Sequence, residues 1–202
     1  MPLYKLTYFD LRARGEPIRM MFAIGGIDFE DNRVDWEEWE KLAKSTATPF
    51  SALPMIEVDG VKIAQTLAIL RYVARETGYA GPDNLTSALA DSLADQCANF
   101  VMAFMDWHMD ALYTSCYLPA RAKHLPFFEQ ALSKSSTGWF ANTPDLTHAD
   151  VFIAGSLEWL LRMDPNAKEF YDGFPLLEAH AMKFFAHPKL QKHLEERPET
   201  RY

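Results

Sequence analysis

From Leu3 to Tyr8 apolar and polar residues alternate with the period of a half-buried strand. Arg14-Gly15-Glu16-Pro17 then opens a helix whose apolar positions Ile18, Met21, Phe22 and Ile24 recur at helical spacing until Gly25-Gly26 ends it. Phe29 to Val34 predicts a second strand, followed by a short helical or irregular segment carrying Trp36 and Trp39. Met55–Val58 and Val61–Ala64 predict two strands joined by an Asp59-Gly60 hairpin turn, and a helix runs from Gln65 to Thr77. The order β-α-β-α-β-β-α predicts a layered α/β unit in which the first three strands share a sheet and the fourth pairs with the third.

Beyond this unit the pattern changes. Gly78-Tyr79-Ala80-Gly81-Pro82-Asp83-Asn84 concentrates turn formers and reads as a linker, and everything after it reads as helical. Helices are predicted from Thr86 to about Tyr113, and near Arg121–Lys134, Ala149–Met163, Leu176–Phe185 and Pro188–Glu195. At Leu146-Thr147-His148-Ala149-Asp150-Val151 a Thr N-cap, an Asp at N3 and a Leu/Val staple mark the start of a buried, central helix. The fold class is therefore α/β plus all-α: a first domain over residues 1–78, a linker over 79–85 and a helical domain over 86–202.

With 202 residues and 49% hydrophobic composition the chain can bury a full core. A net charge of −8 without a basic stripe argues against nucleic acid, and acidic runs such as Asp28-Phe29-Glu30-Asp31 and Glu37-Glu38 read as solvated faces. There is no basic and apolar leader, and no apolar run approaches the roughly 18 residues of a membrane span, so a cytoplasmic protein without membrane association is expected. Cys97 and Cys116 share one predicted helix, where a rise of ~1.5 Å per residue puts them ~28 Å apart. That is far beyond disulfide reach, and two buried thiols are expected. The histidines are scattered without ligand spacing, so no metal site is expected.

Candidate chemistry gathers around Leu53-Pro54 and Gln65-Thr66. Proline supplies no amide hydrogen, which leaves the Leu53 backbone open to an extended peptide. Gln65 and Thr66 add an amide, a hydroxyl and unpaired N–H groups at a helix start, a seat for a carboxylate. Tyr8 closes the first strand, where ligands collect in such folds, although a plain core or surface tyrosine is an equal alternative for that residue alone. A Tyr8 hydroxyl close to an Arg14 guanidinium would stabilise an anion such as a thiolate.

Taken together and in order, Tyr8-Phe9, Arg14-Gly15-Glu16, Arg19, Trp39, Leu53-Pro54 and Gln65-Thr66-Leu67-Ala68-Ile69 resemble the cytosolic glutathione S-transferases. The resemblance is to the sigma class, that of the glutathione-dependent prostaglandin D synthases and many invertebrate enzymes, and it extends over the linker, Thr147 and the closing Arg197-Pro198. It implies a thioredoxin-like N-terminal domain with a cis Pro54, a helical-bundle C-terminal domain, a homodimer, and glutathione as co-substrate in detoxification chemistry. Tyr8 and Arg14 would be catalytic, with the Tyr8 hydroxyl bonded to the glutathione sulfur. Leu53 and Pro54 would meet the cysteinyl unit, Gln65 and Thr66 the γ-glutamyl end, and Trp39 with Lys44 the glycine carboxylate. Asn99 stands where the family commonly has an aspartate that reaches the partner subunit's glutathione, Ala52 where it has a lysine or glutamine, and Ala98 where the prostaglandin enzymes have an acidic residue. These departures imply weaker glutathione contacts and count against a prostaglandin synthase.

Small hydrophobic electrophiles would lie against Phe9, Leu11, Ala13 and Arg14 on one side and Met102, Met105, Phe152 and Tyr202 on the other. Ala98, Met102, Met105 and Met109 share one helix face, which reads first as core or subunit interface and second as substrate contact. Trp107 and His108 read as surface or as the rim of that site, and Phe50 as an intersubunit anchor or as packing within its own loop. Two other functions share the resemblance: a structural crystallin or ligand carrier with little activity, and a glutathione-dependent prostaglandin isomerase.

Overall fold

The computed structural model describes residues 2–45, 48–110 and 117–200, without the side chains of 105–110. Four strands, β1 (Tyr4–Phe9), β2 (Phe29–Val34), β3 (Met55–Val58) and β4 (Val61–Ala64), form one mixed sheet in the order β2-β1-β3-β4. β1 runs parallel to β2, with Tyr8 opposite Arg33, and antiparallel to β3, with Thr7 opposite Met55. The β3–β4 hairpin turns at Asp59 and Gly60, both with positive φ (48° and 87°), as a two-residue turn of this hand requires. This is the thioredoxin-like arrangement.

One expectation for β1 does not hold. Leu6, Thr7 and Tyr8 are all buried, so the strand is covered on both faces rather than alternating. The polar Thr7 is accommodated because its hydroxyl accepts a hydrogen bond from Asn32 Nδ2 at 3.3 Å.

Helices α1 (Glu16–Gly25), α2 (Trp36–Ala43) and α3 (Thr66–Thr77) complete this part. Pro17 occupies the first turn of α1 and Gly26 ends it in the left-handed conformation, its N–H returning to Phe22 and Ala23 carbonyls. α2 starts with a reciprocal box: Asp35 accepts from Glu38 N–H and the Glu38 side chain accepts from Asp35 N–H.

The second unit contains α4 (Asn84–Asp110), α5 (Leu118–Ser133), α6 (His148–Met163) and α7 (Pro175–Phe185). α4 starts earlier than the sequence predicts, because Asp83 turns from linker residue to cap and accepts the Thr86 N–H at 2.8 Å. α6 is buried on nearly every side and packs on α4 and α7. At its start Asp150 is inaccessible to solvent and accepts from Thr147 N–H (2.8 Å), Thr147 Oγ1 (3.0 Å), Phe140 N–H (2.9 Å) and His180 Nε2 (2.9 Å). Cys97 is a buried free thiol, and Cys116 lies outside the described residues.

The contacts divide the chain into Gly78–His187 and a unit that joins Met1–Thr77 to Pro188–Tyr202. The last helix, α8 (Gln191–Glu196), therefore belongs with the sheet rather than with the helical domain in which the sequence reading puts all of 86–202. From α8 His193 Nε2, and from the residue after it Arg197 Nη1, lie 2.9 and 3.1 Å from Glu16 Oε1 in α1. Among the described residues no helix is long and apolar enough to cross a membrane.

Candidate active site

The strand register aligns one end of the sheet. Thr7 is opposite Met55 and Met55 is opposite Ala64, so the next residue along each strand brings Tyr8, Pro54 and Gln65 to the same edge. The Leu53-Pro54 peptide is cis, and the Leu53 backbone has no hydrogen-bond partner among the described residues. Gln65 takes a positive φ of 77° as the chain leaves β4, which turns it into the first residue before α3; its carbonyl accepts from Ile69 N–H. The first N–H groups of α3 follow at Thr66 and Leu67, at the positive end of the helix dipole.

Tyr8 is 6% exposed at the end of β1. Its ring packs against the backbone of Gly15, where an added Cβ would stand 2.3 Å from Tyr8 Cδ1. Burial raises the pKa of the Tyr8 phenol, opposed by a hydrogen bond from the Arg14 backbone and by the charges of Arg14 and Arg19. The phenol stays protonated at neutral pH. With its oxygen accepting the Arg14 N–H, its own O–H is left to donate. The sequence suggests the Arg14 guanidinium as partner; in the structure the main chain of Arg14 also takes part.

Phe9 follows Tyr8, its ring centroid 5.8 Å from that of Trp39 in an edge-on contact and 6.1 Å from Trp36 in a stacked one. The structure thus brings together Phe9, expected beside the electrophile, and Trp39, expected beside glutathione. Leu11, Ala13 and Arg14 lie on the same loop, partly exposed, with Ala13 at a positive φ of 31°. Lys44 is exposed just past α2, its Nζ 3.9 Å from Glu40. In the helical unit Asn99 is exposed on α4, Met102 is 51% exposed and Phe152 is buried in α6. The Met105 side chain and Tyr202 lie outside the described residues. Among the described residues no cluster of histidine, cysteine or carboxylate side chains could hold a metal ion.

The sequence reading assigns no role to Glu16, Arg19 or Asp31, nor to His193. Arg19 is 1% exposed and bonds Asp31, Glu16 and the carbonyls of Leu11 and Phe9, directly behind the Tyr8 loop. The signal available was the Glu16/Arg19 pair at i, i+3 in an apolar helix.

Residues 4–75 match the model of the glutathione S-transferase N-terminal domain, and residues 94–197 match that of the C-terminal domain. The chain is 36% identical to glutathione S-transferase 1 of Ascaris suum, with 100% of each chain covered. The chain belongs to the glutathione S-transferase family. Glutathione is accordingly the transferase's co-substrate. The transferase is also 34% identical to the hematopoietic prostaglandin D synthase of Gallus gallus, with 99% of each covered. Among solved structures it is similar to the glutathione S-transferase of Ascaris lumbricoides (36% identity, TM-score 0.92, 100% of each chain covered). It is similar as well to a glutathione S-transferase of Necator americanus described as monomeric (37% identity, TM-score 0.89, 99% and 100% covered).

Proposed function

We propose that the transferase joins the sulfur of glutathione to small apolar electrophiles, with Tyr8 stabilising the thiolate. The observation that carries this reading is the buried Tyr8 phenol, kept protonated by its surroundings at the sheet edge it shares with Leu53-Pro54 and Gln65. A cysteine thiol with an ordinary pKa of about 8.5 is only a few per cent ionised at pH 7. Lowering it by about two units requires about 2.7 kcal/mol of preferential thiolate stabilisation. One aimed O–H, supported by the Arg14 charge, is of that order in a water-poor site.

In this reading Leu53 pairs its open backbone with the cysteinyl unit beside Pro54. Gln65 and the α3 N–H groups at Thr66 hold the γ-glutamyl carboxylate, and Trp39 with Lys44 holds the glycine carboxylate. Asn99 would reach the glutathione of a partner subunit. The thiol proton leaves to solvent and the sulfur pair forms a bond to carbon. A leaving group departs with its electron pair, or, in an addition, the resulting carbanion is protonated. Phe9, Leu11, Ala13, Arg14, Met102, Met105, Phe152 and Tyr202 are the residues proposed to receive the electrophile. Sigma-class membership, a cytoplasmic location, a detoxification role and a homodimer belong to the same proposal. The exposed Phe50 supports the dimer and light scattering tests it, since the Necator relative is described as monomeric.

The assay compares Tyr8→Phe with the parent on an activated aryl halide. Loss of the donor is expected to lower kcat by about 10²- to 10³-fold while KM for glutathione stays within a few-fold. Equal turnover removes Tyr8 from catalysis. The similarity to the Gallus gallus prostaglandin D synthase favours a second reading, isomerisation of a prostaglandin endoperoxide by the same thiolate. A parallel assay with an endoperoxide separates the two, and inactivity on both substrates points to a carrier or structural role.

A further inference from the structure

The loop that carries Phe9 to Gly15 is held from behind by charge. Arg19 donates Nε to both Asp31 oxygens (3.1 and 3.0 Å), Nη1 to the Leu11 carbonyl (2.9 Å) and Nη2 towards the Phe9 carbonyl (3.4 Å). Its guanidinium carbon lies 5.9 Å from the centre of the Tyr8 ring. Glu16 completes the set with Oε2 3.5 Å from Arg19 Nη1, while its other oxygen accepts from His193 and Arg197. A second tie reaches the loop itself, where Arg12 Nη2 is 3.3 Å from Glu199. The turn Pro188–Leu190 packs on α1, so the C-terminal segment meets the loop and helix at several points.

We infer that this C-terminal segment is a clasp for the catalytic loop: His193 and Arg197, acting through Glu16 and Arg19, are positioning residues that set the aim of the Tyr8 hydroxyl. The inference rests on the proposed role of Tyr8. Two carbonyls of the loop have a guanidinium as partner, and that guanidinium keeps its orientation only while Glu16 and Asp31 balance it. Glu16 is 2% exposed, so its own place depends on the His193 imidazole it meets from α8 and on the Arg197 guanidinium just after it. A change more than 175 residues away in sequence therefore reaches Tyr8 through one carboxylate and one guanidinium.

The test is the ultraviolet thiolate band of glutathione bound to the full chain, titrated against pH in the parent and in Arg197→Met, Arg197→Lys and Tyr8→Phe. Arg197→Met is expected to raise the apparent thiol pKa by about 0.5 to 1 and to lower kcat about three- to tenfold, with KM for glutathione within about twofold. Arg197→Lys, which keeps the charge, recovers most of both. A thiol titrating as in the parent in Arg197→Met, whatever the change in melting temperature, overturns the clasp and leaves the tail a purely structural element. Should Arg197→Met fail to fold, His193→Ala is read by the same two outcomes, because it removes the other contact of the same Glu16 oxygen at a partly exposed side chain. A parental titration in Tyr8→Phe instead removes the proposed role of Tyr8. A shift in Tyr8→Phe with none in the tail variants removes only the clasp.

Discussion

Gly15 and Tyr8 touch through backbone and ring, so closely that the smallest side chain at position 15 would stand 2.3 Å from Tyr8 Cδ1. Gly15 also caps α1 with a negative φ, so its lack of a Cβ is needed here for space and not for backbone freedom. The ring, buried at the end of β1, has little room to yield.

Gly15→Ala is therefore expected to push the Tyr8 ring from its place at a cost of about 1–3 kcal/mol of stability. On the role proposed for Tyr8, conjugation of an aryl halide should fall about tenfold or more, because a displacement near 1 Å would misdirect its hydroxyl. Steady-state kinetics together with the melting temperature check this. Undiminished kcat would mean that the ring position does not control the reaction.

Glu16 gives a stability that depends on acid. Burial alone would raise its pKa, but the hydrogen bond and charge of His193, the charge of Arg19 and the hydrogen bond of Arg197 outweigh it and hold the carboxyl at about 2. A group depressed in the folded chain stabilises it above its ordinary value, and that contribution disappears as pH falls from about 4.5 towards 2. Urea unfolding at pH 7 and pH 3 should show Glu16→Gln well below the parent at pH 7, by up to about 3 kcal/mol, and closer to it at pH 3.

Cys97 acts in the opposite pH range. Burial pushes its thiol up to about 12, only partly offset by a hydrogen bond with Ser156. The folded chain thus keeps a proton that the unfolded chain releases above about pH 9, and stability falls as pH rises from there. The raised Tyr8 phenol adds the same sign at higher pH. Cys97→Ala should show a shallower loss of urea resistance between pH 8 and pH 10. An unchanged slope would assign the loss to other groups.

Asp150 ties the start of α6 to Phe140 and to His180 on α7. Asp150→Ala leaves those donors buried without a partner and is expected to cost about 3–5 kcal/mol, read as a large drop in melting temperature. Asp150→Asn keeps the shape but not the charge, and its loss should be smaller.

Much of this was readable because it is local. The hairpin at Asp59-Gly60, the Thr147–Asp150 pairing, the stop at Gly25-Gly26 and the change from strands to helices after Thr77 are each written in a few neighbouring residues. The placement of Leu53-Pro54 before a strand and of Gln65-Thr66 at a helix start was legible for the same reason, since proline chemistry and a helix start act over one or two positions. Arg19 was visible only as one member of a familiar string. Nothing near it states that it would hold the carbonyls of Phe9 and Leu11.

The sequence by itself determined the order of the elements and their caps and turns, because periodicity and backbone preference are properties of short windows, while the family showed only as a resemblance of ordered motifs. Only the tertiary structure decided that β1 is buried on both faces, that Gly15 is packed on Tyr8, and that α8 returns to the sheet to meet Glu16. These depend on which distant surfaces come together. A buried charge such as Glu16 finds its partners wherever the fold brings cations close, not where the chain is near in sequence.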